Sequence, residues 1–334
     1  MTQVAIVRGN NPYETTYEAL NLISEDIRVP KSHIIIKPNL LMTETFPVAV
    51  TTPQVCAAVA EFLKERKGVR NIQLGEGSTS GNPPDTYESM QNNGYLPYQD
   101  LWDPISFIND VPRKWFPIYS SDYSRKVELG ISRTVSECPY LISIPKFKTH
   151  DVLGLTLSLK NLMGTLTTAR DIQSKKILAQ ETTNICAFMH GFGTKKPHQL
   201  TDEQNTNASK VALAINLIRL ARAIRPSLAV LDALVAMEGN GPVHGTKKNL
   251  NLIIASTDFI AADTVATYIA GMDPQHFQYI YQAGEIGLGE NHLNKISILG
   301  EPLNNVISPF RPHHLFQRSQ FSTDQIITLK SNIN

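Results

Sequence analysis

Residues 141–166, LISIPKFKTHDVLGLTLSLKNLMGTL, decide how the rest of the chain is interpreted. The first four residues form an apolar run that is typical of a buried strand, and polar side chains follow soon after it. These side chains are Lys146, Lys148, Thr149, His150, Lys160 and Asn161. Packing alone does not explain them, because cations are seldom fully buried unless they are paired. The segment therefore predicts one wall of a binding or catalytic site.

Three other apolar runs are followed by polar residues in the same way. The polar residues after the four runs are Lys37 and Asn39; Glu76 and Ser78; Lys146, Lys148 and His150; and Asp232 and Glu238. A continuous apolar run indicates a strand that is buried on both faces, as in a parallel sheet. Since the carboxyl ends of parallel strands meet at one edge of a sheet, these polar groups are expected to converge. The predicted fold class is α/β, with a mostly parallel sheet and helices on both of its faces.

The segments between these runs predict the remaining organisation. Residues 53–67 predict a helix that has a proline in its first turn. Residues 81–123 contain many proline, asparagine and aromatic side chains, and they predict an insertion or lid over the sheet. The α/β domain is predicted to span residues 1–308, as one unit or as two lobes that would meet near residues 166–206. Residues 309–334 are predicted to form a C-terminal surface arm.

The composition argues against several classes of protein. The 334 residues are 42% hydrophobic and 18% charged, with a formal net charge of +1, so nothing draws the whole chain to nucleic acid or to an anionic membrane. The N-terminus lacks the apolar core of a secretory signal, and no stretch reaches the roughly 18 apolar residues that a membrane helix needs. A cytoplasmic location is expected, and the predicted partner is a small anionic metabolite. The sequence is compatible with a homo-oligomer.

Two kinds of metal site are considered. The three cysteines are Cys56, Cys138 and Cys186. They are far apart and form no CxxC pair, which argues against an iron–sulfur cluster or a zinc site made of cysteines alone. A divalent cation such as Mg²⁺ would suit Asp232, Glu238 and Asp263, together with carbonyls of the glycine-rich loop predicted after Leu231. Asp263 lies on an apolar helix and needs a partner, which is a lysine, a helix N-terminus or a metal.

The polar residues also predict particular roles. Several cations beside carboxylates suit a small anionic substrate, because lysines neutralise the anion and a histidine or lysine moves a proton. The candidate catalytic residues are Lys148, His150 and Lys160. The candidate substrate-binding residues are Lys37, Asn39, Lys146, Thr149, Asn161 and Asn240.

Each of these residues has a structural interpretation as well. Lys37, which precedes Pro38, would then be a solvated strand end, and Lys160 would be an exposed helix residue. His150 would make only structural hydrogen bonds, and Asp232 would cap a turn or helix. The joint occurrence of these residues after apolar strands favours a site over separate structural roles.

Five segments together resemble a known family. They are IIIKPNLL, TTPQVCAAVAEFLKE, ISIPKFKTHDVLGLTLSLKNLMG, VLDALVAMEGNGPVHGT and DFIAADTVA. From Ile34 to Gly271 the chain resembles the family named domain of unknown function 362, which has no general activity assigned. The resemblance implies an α/β fold and a site near Lys37, Asn39, Lys146, Lys148, His150, Lys160, Asn161, Glu238, Asn240 and Asp263. Many relatives carry a ferredoxin-like segment with cysteine-rich cluster motifs, and the present sequence contains none, which argues against electron transfer.

A more distant similarity concerns architecture. The family is similar in fold to the nickel-dependent lactate racemases, whose lysine-bound pincer cofactor sits between two α/β domains. Lys160, within GLTLSLKNLMG, is the position to compare with the cofactor-bearing lysine. The comparison is an analogy of fold.

The leading functional hypothesis is an enzyme that acts on a small anionic organic metabolite by proton transfer. Isomerisation, cyclisation and elimination are reactions of this kind, so a lyase or an isomerase is favoured. Two alternatives stay open. One is a non-catalytic protein that binds a metabolite, cofactor or cluster for a partner, and the other is a redox protein with a borrowed cluster or flavin.

Overall fold

A computed structural model describes residues 1–41, 48–77, 86–120, 127–180, 182–192, 203–316 and 321–333. Ser78 and the ends of the predicted insertion, residues 81–85 and 121–123, lie outside the described residues. The strands are β1 (Thr2–Arg8), β2 (Ile34–Pro38), β3 (Ile72–Glu76), β4 (Asp103–Ser106), β5 (Pro112–Pro117), β6 (Val127–Ser132), β7 (Leu141–Ile144), β8 (Lys146–His150), β9 (Gly154–Thr156), β10 (Leu166–Asp171), β11 (Ile177–Ala179), β12 (Pro226–Glu238), β13 (Thr246–Ser256) and β14 (Ile296–Gly300).

The helices alternate with the first strands and become more frequent toward the C-terminus. They are α1 (Pro12–Leu22), α2 (Pro53–Lys67), α3 (Thr86–Asn92), α4 (Arg133–Glu137), α5 (Ser158–Asn161), α6 (Thr182–Met189), α7 (Glu203–Ala223), α8 (Phe259–Ile269), α9 (Gln278–Glu285) and α10 (Thr323–Asn332). Among the described residues, no helix combines the length and the apolar character needed to cross a membrane.

The large sheet has the strand order β14-β1-β13-β12-β7-β2-β3-β4, with β8 paired to β12 and β9 paired to β8. Neighbours from β12 through β7, β2 and β3 to β4 are parallel, as are β14 with β1 and β8 with β12. The strand β13 is antiparallel to both β1 and β12, and β9 is antiparallel to β8. The prediction of a mostly parallel sheet in an α/β fold is therefore confirmed.

Helices cover both faces of this sheet because its strands are apolar on both sides. Alternate residues of a strand point to opposite faces, and β1 divides accordingly, with Val4 and Ile6 in one core and Ala5 and Val7 in the other. The helices α1 and α2 contribute to the core of Ala5 and Val7. The helices α7 and α8 contribute to the opposite core.

The predicted insertion is divided between two sheets. Its strand β4 extends the edge of the large sheet beside β3. Its strand β5 belongs to a smaller antiparallel sheet with the order β11-β10-β6-β5. The described residues of this segment therefore supply one edge strand to the large sheet and one to the small sheet.

The strand β12 is longer than predicted. The loop expected after Leu231 begins only at Gly239, because the backbone from Pro226 to Glu238 pairs with β13 over most of its length. Gly239 has a φ of +79°, in the left-handed region that glycine adopts without strain. As a result, Asp232 lies in the middle of a buried strand and Glu238 lies at its end.

The tail after Pro309 packs on the rest of the protein. Phe310, Phe321 and Leu329 are buried, and α10 contacts α7. The tail thus contributes apolar side chains to the core. The boundaries near residue 308 and near residues 166–206 stay predictions.

Candidate functional site

The carboxyl ends of β2, β3 and β7 open onto one cavity, together with β8 and α5. The cavity has a volume of about 210 Å³. We call it the lysine cavity, and six of the residues that line it are Asn39, Lys146, Lys148, His150, Lys160 and Asn161. All six were predicted from the sequence as site residues. No described residue of the 86–120 segment lines this cavity.

Lys37 is held by a carboxylate on the next strand. Its Nζ lies 2.7 Å from Oε2 of Glu76, and both side chains are buried. Glu76 also accepts hydrogen bonds from the backbone N–H groups of Gly77 and Leu40, and Nζ of Lys37 donates to Oδ1 of Asn161 at 3.0 Å. Burial lowers the pKa of Lys37, and the Glu76 carboxylate opposes that shift. The positive charge of Lys37 is thus neutralised beside the cavity, and the alternative of a solvated strand end does not occur.

Lys146 has an equivalent partner on β12. Lys146 and Asp232 lie opposite each other in the parallel pairing of β8 with β12, and their Nζ and Oδ2 atoms are 2.8 Å apart with neither side chain exposed. Thr52 supports the pair, since its backbone N–H donates to Asp232 and its hydroxyl lies 3.3 Å from Nζ of Lys146. We call Lys37 and Lys146 the paired lysines.

Lys148 has no such partner. Its side chain is 1% exposed, and Nζ donates to the carbonyl oxygen of Ala49 at 2.9 Å. No carboxylate of the described residues lies within ion-pair distance of it. Burial lowers the pKa of Lys148 to about 7, and the charges of Lys160 and Lys146 add to this shift. Lys148 is therefore a buried amine poised between its charged and neutral forms near neutral pH.

Lys160 lies on α5 and is partly buried. Within the described part of the chain, its Nζ makes neither an ion pair nor a hydrogen bond. Burial lowers the pKa of Lys160, and Cys186, Asp151 and Glu76 oppose that shift. We call Lys148 and Lys160 the unpaired lysines.

Asp263 holds α5 in place. Its two carboxyl oxygens accept hydrogen bonds from the backbone N–H groups of Ser158 and Leu159, at 2.8 and 2.9 Å. Burial raises the pKa of Asp263 to about 8. Of the three partners considered for this aspartate, the structure provides a helix N-terminus. Asp263 thereby positions the helix that carries Lys160 and Asn161.

Two histidines line the cavity, and the Nδ1 atom of each contacts neighbouring protein groups. The Nδ1 of His150 lies 3.1 and 3.3 Å from the backbone N–H groups of Val152 and Leu153, which are donors, and near the Asp151 carboxylate, which is an acceptor. The Nδ1 of His190 lies 2.7 Å from the carbonyl oxygen of Cys186 and must donate to it, which leaves Nε2 as an acceptor. Burial lowers the pKa of both histidines to about 4.

Asp151 contacts the His150 ring and completes this part of the wall. Its Oδ1 is 3.0 Å from Nδ1 of His150 and accepts from the backbone N–H of Val152 at 2.8 Å. The backbone N–H of Val152 is thus shared between a carboxylate and a ring nitrogen. The contact orients the ring, and it supplies negative charge near the unpaired Lys160.

Six predicted residues do not line the cavity. Lys37, Asp232 and Asp263 are described above, and the other three are Thr149, Glu238 and Asn240. Thr149 donates to the carbonyl oxygen of Gly239 at 2.9 Å. Asn240 is exposed, and its Oδ1 is 2.8 Å from a ring nitrogen of His314. Glu238 is partly buried and pairs with Lys248 at 3.3 Å. Thr149 links the cavity strand β8 to the β12–β13 turn.

The residues predicted as magnesium ligands are not brought together. Asp232 meets Lys146, Glu238 meets Lys248, and Asp263 meets the N-terminus of α5. Throughout the described ranges, no cluster of three or more His, Cys, Asp or Glu side chains is arranged to hold a metal ion.

Four titratable residues that line the cavity were not among the predicted site residues. They are Glu76, Asp151, Cys186 and His190. Glu76 follows an apolar strand and had been noted for that reason, although no role was assigned to it. Cys186 and His190 are four residues apart around the end of α6, so helical spacing was the one signal that could have paired them.

Known proteins resemble this chain over most of its length. A thylakoid-associated protein of Synechocystis sp. (strain ATCC 27184 / PCC 6803 / Kazusa) is 26% identical over 300 residues, which cover 89% of this chain and 81% of that protein. The solved lactate racemase apoprotein of Thermoanaerobacterium thermosaccharolyticum is similar with a TM-score of 0.46 and 11% identity. That similarity covers 81% of this chain and 58% of the racemase chain.

The family assignment comes from the middle of the chain. The sequence profile that matches covers residues 34–268, from β2 into α8, and so includes the strands and the short helix that form the lysine cavity. The chain belongs to the family described as domain of unknown function DUF362.

Proposed function

We propose that the protein is an enzyme that binds a small organic anion in the lysine cavity and transfers a proton to or from it. Isomerisation, cyclisation and elimination are the reaction types that this chemistry serves, so a lyase or an isomerase is proposed. One observation carries the proposal: two lysines, Lys148 buried and Lys160 partly buried, share a cavity without a carboxylate partner in the described chain.

The charge balance of the cavity favours an anion. Removing a charged group from water is costly unless an opposite charge compensates it. The paired lysines are compensated by Glu76 and Asp232. Lys160 and, when protonated, Lys148 add positive charge, which Asp151 on the same wall offsets in part. A bound carboxylate or similar oxyanion would neutralise the remainder.

The size of the cavity favours a small ligand. Pockets that take drug-sized ligands have volumes of roughly 300–1,000 Å³, and the lysine cavity has about 210 Å³. Leu41, Leu157 and Met163 form an apolar part of its wall, which suits the carbon skeleton of an organic acid. The proposed ligand class is therefore a small organic acid.

The histidines supply the proton-transfer groups of the proposal. Because the pKa of each is about 4, both rings are neutral near pH 7. His190 offers an acceptor at Nε2, which suits removal of a proton, and the His150 ring lies on the same cavity wall. Assigning the base to His190 differs from the sequence-based expectation, in which His150 or Lys160 was the acid or base.

Deuterium incorporation tests the proposal and does not require the substrate to be identified first. The purified protein is incubated in D₂O with a mixture of small organic acids extracted from cells, and the acids are analysed by mass spectrometry. We expect at least one acid to gain deuterium at carbon or to change its mass. Lys148→Met and Lys160→Met should each lower that conversion by about 100-fold or more, as loss of a proton-transfer or charge-stabilising group does.

Lys31→Met is the matched control. Lys31 is an exposed lysine outside the cavity, so this variant should convert the acid at the wild-type rate. If the wild type binds an organic acid but neither exchanges nor converts it, the protein is a binding protein, which is the second hypothesis. If it does neither, the lysine cavity is not a site for small organic anions.

Cellular location and assembly belong to the same proposal. We propose a cytoplasmic protein, and a homo-oligomer is compatible with it. The related protein from Synechocystis is named thylakoid-associated, so fractionation of the native host is the appropriate test. Recovery of the protein in the membrane fraction would contradict the cytoplasmic location.

A further inference from the structure

Lys148 has hydrogen-bonding partners that suit a neutral amine better than an ammonium group. An ammonium group has three N–H bonds to satisfy, whereas a neutral amine has two N–H bonds and a lone pair. In the described residues, Nζ of Lys148 has one hydrogen-bond acceptor, the carbonyl oxygen of Ala49. A buried ammonium would leave two N–H bonds without a protein acceptor, which is unfavourable. The neutral amine keeps its bond to Ala49 and has a lone pair to react with a ligand in the cavity.

We propose that Lys148 is a nucleophile that forms an imine with the carbonyl carbon of a small keto acid, whose carboxylate is bound by Lys160. The proposal rests on the function proposed above and specifies its substrate class. It requires no metal, oxidant or second substrate.

The charges around the two unpaired lysines divide these roles. Lys148 is surrounded by the positive charges of Lys160, Lys146 and Lys37, with Glu76 as the opposing charge. These neighbours favour the neutral amine, and a nearby cation is one of the known ways to activate a lysine nucleophile. Lys148 is therefore suited to attack a carbonyl group.

The carboxylates near Lys160 distinguish it from Lys148. Burial lowers the pKa of Lys160, and the charges of Asp151 and Glu76 oppose that shift and so favour the ammonium form. Lys160 also lies on a helix that Asp263 holds by two hydrogen bonds, so its backbone position is well defined. A charged lysine without a protein partner suits the carboxylate of the keto acid.

The reaction is balanced by the loss of one water molecule. The lone pair of Nζ attacks the carbonyl carbon, a C–N bond forms, and the carbonyl oxygen leaves as water with the two hydrogens that the amine loses. A proton from solvent on the imine nitrogen gives an iminium ion. The iminium draws electrons from the C–H bond next to it, so that Nε2 of His190 accepts the proton in the step proposed above.

Reductive trapping tests the imine directly on the wild-type protein. The protein is incubated separately with glyoxylate, pyruvate and acetoacetate in the presence of cyanoborohydride, which converts an imine to a stable secondary amine. After proteolysis, mass spectrometry compares the reduced adduct on Lys148 with that on the exposed Lys31 in the same digest. We expect at least one keto acid to label Lys148 about tenfold more than Lys31, as an activated amine requires.

Two further measurements separate a reactive amine from an accessible one. Because the pKa of Lys148 is about 7, its neutral fraction and its labelling should rise about fivefold between pH 6 and pH 7. Lys160→Met keeps the amine of Lys148 and should lower its labelling by about tenfold, because the carboxylate loses its ion pair.

The results of trapping and of deuterium incorporation distinguish failure of the imine from failure of the proposed function. Labelling of Lys148 that never exceeds labelling of Lys31 with any of the three acids overturns the imine, and so does a principal adduct on Lys160. If deuterium incorporation into organic acids persists without an adduct, the imine fails and the proton-transfer function stands. If neither is observed, the proposed function itself fails.

Discussion

The paired and the unpaired lysines lie near the same edge of the large sheet, three on its strands and Lys160 on α5, yet their surroundings differ. Lys37 and Lys146 each contact a buried carboxylate at 2.7–2.8 Å. Lys148 donates to a backbone carbonyl, and Lys160 makes no ion pair or hydrogen bond within the described ranges. The difference shows that burial of a lysine alone does not indicate its role. The paired lysines are neutralised by carboxylates of the protein, whereas the unpaired lysines have no carboxylate partner among the described residues.

Strand pairing explains why adjacent positions differ. Lys146 lies opposite Asp232 in the pairing of β8 with β12, whereas Lys148 lies opposite Met237. The register shifts between these two pairs, so the acidic residue of β12 reaches one lysine and an apolar residue lies beside the other. A difference of two positions along one strand therefore separates a structural lysine from a candidate catalytic one.

The largest expected effect comes from breaking a pair. Lys146→Met removes the cation that neutralises Asp232, a side chain with no exposure to solvent. Leaving a buried charge without its partner costs about 3–5 kcal/mol, so the free energy of unfolding should fall by that amount in urea denaturation at pH 7. Lys31→Met, at an exposed lysine, should change it by less than about 0.5 kcal/mol.

A second substitution tests whether the loss of stability comes from the Asp232 carboxylate that is left without a partner. Lys146→Met combined with Asp232→Asn removes both charges and keeps an oxygen that can accept from the backbone N–H of Thr52. The double variant should recover a large part of the lost stability. If the double variant is no more stable than the single one, the pair is not the reason for the destabilisation.

Substitution of an unpaired lysine should raise the free energy of unfolding instead of lowering it, and the size of the increase should depend on pH. The pKa of Lys148 is lowered to about 7 by burial, so below pH 7 the folded protein carries a buried charge that destabilises it. Above pH 7 the folded state loses the proton while the unfolded state keeps it up to about pH 10.4. The unfolded state then binds more protons, and the contribution of Lys148 to stability rises with pH by roughly 1.4 kcal/mol per pH unit.

Lys148→Met lacks this proton and isolates its contribution. The variant should be more stable than the wild type below pH 7, and its advantage should shrink as the pH rises from 7 toward 9. Urea denaturation of both proteins at each pH measures the difference, in which the titration of other groups largely cancels. A constant difference across this range would contradict a neutral Lys148 in the folded protein.

The smallest effect is expected at a pair outside the cavity. Glu238 and Lys248 are each 22% exposed at their side chains and lie 3.3 Å apart. Ion pairs in contact with solvent contribute about 0–1 kcal/mol, so Glu238→Gln should change stability by no more than that. It should also leave deuterium incorporation unchanged, since Glu238 does not line the cavity.

Glu238→Gln also tests the magnesium site that the sequence predicted. If Glu238 were a metal ligand, the variant would lose activity, and excess Mg²⁺ would restore part of it. If Mg²⁺ raises the activity of the wild type and of the Glu238→Gln variant equally, the cation acts without Glu238 as a ligand.

Local patterns predicted much of the fold. The apolar run at residues 34–36 and the helix at residues 53–67 were placed correctly, because a continuous apolar run and a proline in a first turn are local signals. The sequence pattern did not predict the full length of β12, which continues past Leu231 to Glu238. Its second half, up to Glu238, is a strand because β13 supplies hydrogen bonds from another part of the sequence, and local composition contains no information about that partner.

The sequence predicted that several of these residues would lie together, but it did not predict their pairings. Apolar strands followed by lysines, histidine and asparagine predicted the residues of one cavity. The same pattern did not distinguish Lys146 from Lys148, and it placed Asp263 among metal ligands although Asp263 binds the N-terminus of α5. Cys186 and His190 gave no recognisable motif, because they reach the cavity through the packing of α6.

The sequence by itself determined that this chain forms an α/β sheet with polar residues at its strand ends, because hydrophobic periodicity and residue type act over a few positions. Only the tertiary structure decided which charges meet. Glu76 and Asp232 reach Lys37 and Lys146 across neighbouring strands, separated by 39 and 86 residues of sequence, and the register of those strands sets the distances. The absence of a carboxylate partner for Lys148 and Lys160 among the described residues is therefore a property of the folded chain and not of any one segment.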